Sequence, residues 1–185
     1  MKINKQMFLV AKMARADGSV MHVHCAPISA ELFDAHMDVL EDTYGHYMSS
    51  KNRMGLGARR AHKRLLSLAS DLGESVRDSV ERGLMPEIRR LTNVALFTGT
   101  KWEDDAYQDL IDRKALDADE IDEIEGRIVF FTAASHLFPR EKREGLMNSA
   151  MSMWGAATTS LTFTEYLNSL PTLTVVENSG ATAAA

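Results

Sequence analysis

The alternation of apolar and polar residues near the N-terminus predicts a β-hairpin. Two apolar runs within residues 7–26 flank the dipeptide Asp17-Gly18, which readily adopts the positive φ angles of a type I′ turn. A two-residue turn pairs Val10 with Cys25 and divides the side chains between two faces. The predicted core face carries Phe8, Val10, Ala14, Met21, Val23 and Cys25, and the other face carries Met13, Arg15, His22 and His24.

From Pro27 onward, apolar residues recur at helical spacing, which predicts a succession of helices. Ser29 is a good N-cap for the first helix, and Gly83 is expected to end the third. A further helix begins at Pro86 and carries an apolar stripe that continues through Val94 and Ala95. The predicted helices span residues 29–48, 58–72, 74–82, 86–97, 105–115, 117–138, 140–157 and 162–170.

Two helix starts carry the signature of a capping box, in which a side chain and a backbone N–H bond reciprocally. Asp117 with Glu120 opens the long helix, and Thr162 with Glu165 opens the last one. The second half of the long helix, residues 128–134, is apolar nearly all round, so it is expected to be central to the core.

These elements predict a mainly α fold, α+β by strict count because of the hairpin. Residues 1–171 are expected to form a single helical domain with the N-terminal hairpin at 7–26. Residues 172–185 change in composition to Thr, Ser, Ala, Gly and Val, which predicts a flexible, disordered C-terminal tail. No apolar stretch approaches the roughly 20 residues that cross a bilayer, so no membrane partner is expected.

Composition places the chain among ordinary globular proteins. It has 185 residues, of which 45% are hydrophobic and 25% charged, and its net charge is −5. The single cysteine, Cys25, cannot form an intramolecular disulfide and fits a reducing cytosol. Eleven methionines hint at protein partners, because methionine forms adaptable surfaces as well as loose cores.

The charges are segregated along the chain. Between Ser49 and Ser70 there is no acidic residue, and the basic ones are Lys51, Arg53, Arg59, Arg60, Lys63 and Arg64. Such a basic helix after a glycine loop could bind nucleic acid through phosphates. The acidic net charge and the absence of interleaved aromatics favour a solvated or partner-binding face instead.

The opposite charge follows between Glu103 and Glu125, where eleven acidic residues face only Arg113 and Lys114, leaving −9. Segregation of this kind favours head-to-tail self-association, as in a homo-oligomer, or docking on a charged partner. The charges could equally be satisfied within the fold.

No motif predicts catalysis, a cofactor or a metal. His22 and His24 share one strand face, but two imidazoles do not make a tetrahedral site, and His36 and His46 lie on different faces of the next helix. The acidic residues after Asp117 fail the calcium-loop pattern, because Ile121 stands where a fifth-position oxygen ligand is needed. The sequence therefore predicts a protein that is not an enzyme.

The order of these blocks resembles a known family. The segments that carry the resemblance are residues 83–94, 128–135 and 154–161 leading into 163–171, together with the hairpin followed by Pro27-Ile28-Ser29. They resemble the tail assembly chaperones of long-tailed, siphovirus-type bacteriophages. The resemblance covers most of the chain but includes no diagnostic catalytic motif.

The resemblance implies a small, mostly helical, non-enzymatic protein of the host bacterial cytoplasm that is absent from the mature virion. Such chaperones bind the tail tube and tape measure proteins and promote assembly of the tail tube. Many also exist in a longer form made by ribosomal frameshifting, which would extend from the region of residues 172–185. The alternatives are a structural virion component, such as a helical head–tail connector, and a small nucleic-acid-binding regulator.

A chaperone needs an adaptable apolar surface for its clients and charges that steer the encounter. Edge pairing of the hairpin with a client strand is one candidate. Ordinary core packing at helical spacing is the alternative for Met147, Met151 and Trp154. The predicted partner-binding residues are Arg59, Arg60, Lys63, Arg64, Met147, Met151, Met153 and Trp154.

Overall fold

The computed structural model describes residues 6–49, 60–139 and 141–171. The strands are β1 (Phe8–Ala14), β2 (Val20–Cys25), β3 (Thr92–Phe97), β4 (Trp102–Ala106) and β5 (Ala156–Thr159). The helices are α1 (Ala30–Ala35), α2 (Met37–Met48), α3 (Arg60–Leu72), α4 (Glu74–Ser79), α5 (Met85–Arg90), α6 (Tyr107–Asp112), α7 (Ala118–Ser135), α8 (Arg143–Ser152) and α9 (Phe163–Ser169). A π-helical segment, Val80–Leu84, joins α4 to α5.

The described strands form one antiparallel sheet in the order β4-β3-β2-β1-β5. The described chain is 57% helix and 18% strand, which is an α+β fold. The prediction of a mainly α fold with only an N-terminal hairpin is therefore wrong. Three strands were missed. β3 and β5 pair with segments distant in the sequence, β4 pairs only with β3, and the spacing of Ile88, Leu91 and Val94 also suits a helix.

The hairpin is present, but its turn is one residue longer than predicted. Arg15 N donates to Ser19 O at 2.9 Å and Gly18 N donates to Arg15 O at 3.0 Å. Gly18 adopts a φ of 82°, as expected for the left-handed residue that completes a three-residue loop. The extra residue shifts the register, so that Leu9 pairs with Cys25.

This shift reverses the predicted faces of β1, because side chains alternate along a strand. The inner face carries Leu9, Ala11, Met13, Met21, Val23 and Cys25, all of them buried. The prediction was correct for β2 and wrong for β1, where Phe8, Val10 and Ala14 lie on the outer face and Met13 on the inner one.

Helices other than α9 form the core with the inner face, and α7 is central among them, packing against α2, α3, α5 and α8. Its buried residues run almost without interruption from Ile124 to Ser135, which confirms the prediction from its apolar sequence. Both predicted capping boxes, at Asp117 and at Thr162, are present.

Several helix boundaries differ from the prediction. The first helix divides into α1 and α2 at His36. Gly83 does not end a helix, because the chain continues through the π-helical segment into α5. The predicted helix 86–97 ends at Arg90, and its second half forms β3. The predicted helix 140–157 ends at Ser152, and its last two residues belong to β5. The predicted tail, residues 172–185, lies outside the described residues.

Candidate functional site

The outer face of the sheet, opposite the helical core, concentrates aromatic and imidazole rings. Direct pairing places His22 opposite Ala95 and His24 opposite Asn93, and Phe97 opposite Trp102. Ring centroids lie 4.9 Å apart for Phe8 and His24, 5.0 Å for His22 and Trp102, and 5.1 Å for Phe97 and Trp102. The outer-face cluster comprises Phe8, His22, His24, Phe97 and Trp102.

Helix α9 lies over this cluster and supplies two more rings. The centroids of Phe163 and Tyr166 lie 5.5 and 5.9 Å from that of His24. His22 Nδ1 and Tyr166 Oη form a hydrogen bond of 2.8 Å. This bond and the ring contacts orient α9 on the sheet.

The segments flanking α9 add two hydrogen bonds to the sheet. Nε2 of His24 donates to Leu161 O at 3.0 Å, and Nε1 of Trp102 donates to Pro171 O at 2.9 Å. Residues 161–171 therefore form a continuous cover across β2 and β4.

The cover is asymmetric in its burial. His22 and His24 are only 8% and 2% exposed, whereas no residue of α9 is buried. The helix shields the imidazoles while its own side chains remain partly or fully open to solvent.

Burial lowers the pKa of both imidazoles below its ordinary value of 6.5. For His22 the positive charge of Lys12, its partner across the sheet, lowers the pKa further. For His24 the hydrogen bond to Leu161 O acts in the opposite direction. The lowered pKa favours the neutral form of both rings at neutral pH.

The geometry of the histidines does not assemble a metal site. His36 lies at the junction of α1 and α2, where its ring nitrogens bond to Leu32 O and Ser79 Oγ, each at 3.0 Å. His46 lies in α2. Across residues 6–49, 60–139 and 141–171, no group of three or more His, Cys, Asp or Glu side chains could hold a metal ion.

The structure describes three of the six residues of the predicted basic segment, and Lys51 and Arg53 lie outside the described residues. Arg59 lies outside the described residues, and Arg60 is exposed at the start of α3. Nζ of Lys63 lies 2.6 Å from Oδ2 of Asp122 on α7. Nε of Arg64 is buried and has no hydrogen-bond partner among the described residues.

The acidic segment meets cations of the same fold. Arg15 pairs with Glu120 at 2.8 Å, and Arg113 pairs with Asp105 at 2.5 Å. Arg127 also pairs with Glu123. The sequence left open whether these charges serve a partner or the fold, and much of the acidic block is paired within the fold.

Glu125 is the most deeply buried of these carboxylates. Its oxygens lie 2.5 Å from Nη2 of Arg89 and 2.5 Å from Nδ1 of His62. Burial acts to raise the pKa of Glu125, but the hydrogen bonds and charges of His62 and Arg89 outweigh it, so the pKa is lowered. The arrangement stabilises an ionised carboxylate inside the protein.

The methionine-rich helix contributes mainly to the core. Met147, Met151 and Trp154 are 1%, 1% and 7% exposed, and Trp154 packs edge to face on Phe130 with centroids 4.0 Å apart. Met153 is 36% exposed. The burial of the first three favours the core-packing alternative, and Met153 is the one of these four that faces solvent.

The outer-face cluster was absent from the predicted partner-binding residues. Its signal was partly readable, since the alternation on β2 placed His22 and His24 together, and Phe163 and Tyr166 are spaced to share one helix face. The sequence did not predict β4, which brings Trp102 into the cluster, and it did not predict that α9 packs on this sheet.

Comparison of the chain with protein-family models, with curated proteins and with solved structures finds no match. No helix in the described part of the chain is long and apolar enough to cross a membrane.

Proposed function

We propose that the protein is a tail assembly chaperone of a siphovirus-type bacteriophage. In this proposal it is not an enzyme, it binds the tail tube and tape measure proteins, and it promotes assembly of the tail tube in the host bacterial cytoplasm. The support from the sequence is the resemblance in block order. The support from the structure is the outer-face cluster under a cover helix that buries none of its own residues.

This feature suits a chaperone on physical grounds. A protein that shields aggregation-prone clients needs apolar surface, yet it must avoid exposing that surface when no client is bound. The outer face offers five rings, two of them neutral imidazoles, within one layer of the sheet. A short covering helix allows this surface to be hidden and presented in turn.

The charges fit a secondary role in this proposal. Because Glu120 and Glu125 are buried and paired within the fold, they contribute to stability more than to docking. Exposed charges such as Arg60 and Asp104 remain to steer the encounter with a client.

The proposal is tested by co-expressing the chain with the tail tube protein of the same phage. The soluble yield of the tube protein should rise, and the two proteins should purify together. Trp102→Ala removes a ring of the outer face and should weaken co-purification. Leu72→Ala removes an exposed side chain on α3 and should leave co-purification unchanged.

No rise in yield and no co-purification with either the tail tube or the tape measure protein would contradict the proposal. Mass spectrometry of purified particles gives a second test. The protein should be absent from finished virions, and its presence there would favour a structural virion component instead.

A further inference from the structure

We propose that α9 is a displaceable cover, and that the outer face binds a partner helix carrying an aromatic residue followed three positions later by tyrosine. The inference rests on the proposed function for the role of this surface and adds the kind of segment that the surface recognises. The occupant seen in the structure, residues 161–171 of the chain itself, defines that chemistry.

The first step concerns what holds α9 in place. The hydrophobic core of the described chain runs from β1 through α8 and β5 and includes no residue of α9. The helix contacts the sheet through Phe163, Tyr166 and the hydrogen bonds at its two flanks. Its release would therefore expose the outer face without opening the core.

The second step concerns the stability of α9 itself. It has seven residues, and isolated helices of this length are marginal in water. Its N-terminus is fixed by Thr162 and Glu165, whose side chains form a capping box. A segment of this kind opens at a lower free energy than the whole domain, as is typical of covers over binding surfaces.

The third step concerns the specificity of the surface. Residues 161–171 provide one hydrogen-bond partner for each buried imidazole. His22 bonds to the Tyr166 hydroxyl, and His24 bonds to the Leu161 carbonyl. An aliphatic helix would bury the same imidazoles and leave His22 Nδ1 unpaired, which is costly in an apolar site. A helix with the spacing of Phe163 and Tyr166 packs its two rings against the imidazoles and provides a hydrogen-bond partner for His22 Nδ1.

Competition within the chain then limits binding. A tethered segment acts at a high effective concentration, so only the fraction of molecules with α9 released can bind another helix. Loosening α9 should raise the apparent affinity for an external helix of the same chemistry. A rigid structural role for α9 predicts no such gain.

The test uses the full-length chain and a fluorescent peptide with the sequence of residues 160–171. Binding is measured by fluorescence anisotropy for the wild type, for Phe163→Ala/Tyr166→Ala, and for the control Thr164→Ala, whose side chain is exposed. The double variant should bind the peptide about tenfold more tightly than the wild type and the control. A peptide with alanine at both aromatic positions should not bind, and one with leucine at both should bind more weakly.

Equal binding by the double variant and Thr164→Ala would overturn the proposal, as would equal binding of the aromatic and leucine peptides. Circular dichroism checks that the double variant is folded. If it is not, Thr162→Ala removes the cap while keeping both rings, and it should also bind more tightly than the wild type. Failure of Thr162→Ala to do so would equally overturn the proposal.

Dimerisation is a further outcome that bears on what occupies the outer face. If the double variant dimerises at the protein concentrations used, the surface takes a second copy of the chain, and the partner-helix proposal is wrong. Because the peptide assay contains neither the tail tube nor the tape measure protein, its failure is distinct from failure of the co-expression test of the proposed function.

Discussion

Glu125 Oε1 on α7 lies 2.5 Å from Nη2 of Arg89 on α5, and the Glu125 side chain is only 3% exposed. The pair joins the acidic segment to a cation that lies outside the basic segment of the sequence. His62 of α3 approaches the other carboxylate oxygen, so three helices meet at one carboxylate. Part of the acidic charge visible in the sequence therefore holds helices together.

Glu125→Gln should destabilise the protein substantially. The change keeps the shape of the side chain but leaves the partly buried Arg89 and His62 without their anion, which costs roughly 3 kcal/mol in comparable sites. Chemical denaturation measures the loss. The control Lys63→Gln breaks the more exposed pair with Asp122 and should cost less than about 1 kcal/mol, so a similar loss for both variants would contradict this account.

The register of the hairpin makes a second prediction. Leu9 is fully buried on the inner face, whereas Val10 is partly exposed on the outer one. Leu9→Ala should therefore cost about 3 kcal/mol and Val10→Ala less than about 1.5 kcal/mol. A larger loss of stability for Val10→Ala than for Leu9→Ala would contradict the observed register and favour the one with a two-residue turn.

That contrast shows where sequence patterns suffice. The capping boxes at Asp117 and Thr162, the apolar run of α7 and the alternation on β2 are local signals, and each predicted its element correctly. The turn was recognised from Asp17-Gly18, but the dipeptide suits two loop lengths. Only long-range packing decides between them, and a change of one residue exchanges the faces of β1.

The remaining strands lacked a local signal. The segment that forms β3 continues a helical spacing from Ile88, and β4 contains the acidic residues Glu103, Asp104 and Asp105, which are poor strand formers. Their strand conformation depends on the neighbouring strand. Because β4 was not predicted, the sequence could not place Trp102 beside His22. Of the candidate site, only the placement of His22 and His24 on one strand face was predicted.

Lys114 offers a test of backbone strain. It is the one non-glycine residue of the described chain with a positive φ, 56°, where the chain turns after α6 and Ala115 N donates to Leu110 O at 2.9 Å. Glycine relieves the strain at such helix ends, so Lys114→Gly should raise stability by about 0.5–1 kcal/mol. Thermal denaturation measures the change, and Lys114→Ala, which keeps the strain, should show no comparable gain.

Stability should also fall as the pH decreases through the histidine range. The pKa values of His22 and His24 are lowered in the folded protein, so below about pH 6.5 the unfolded chain binds more protons than the folded one. Their neutral forms therefore stabilise the fold fully above that pH and progressively less below it. The lowered pKa of Glu125 adds a separate loss only below about pH 4.5.

The measurement is the melting temperature between about pH 7.5 and about pH 5.5. The wild type should lose stability across this interval, and His22→Gln/His24→Gln should lose less, because glutamine does not titrate. An equal loss in both proteins would show that other groups cause the pH dependence.

The central claim is that the outer face of the sheet is the binding surface and that α9 covers it. Its most direct test is the affinity of the purified chain for the tail tube protein, compared between the wild type, Phe163→Ala/Tyr166→Ala and Thr164→Ala. The account predicts that the double variant binds about tenfold more tightly than the other two. Weaker or unchanged binding by the folded double variant would contradict it.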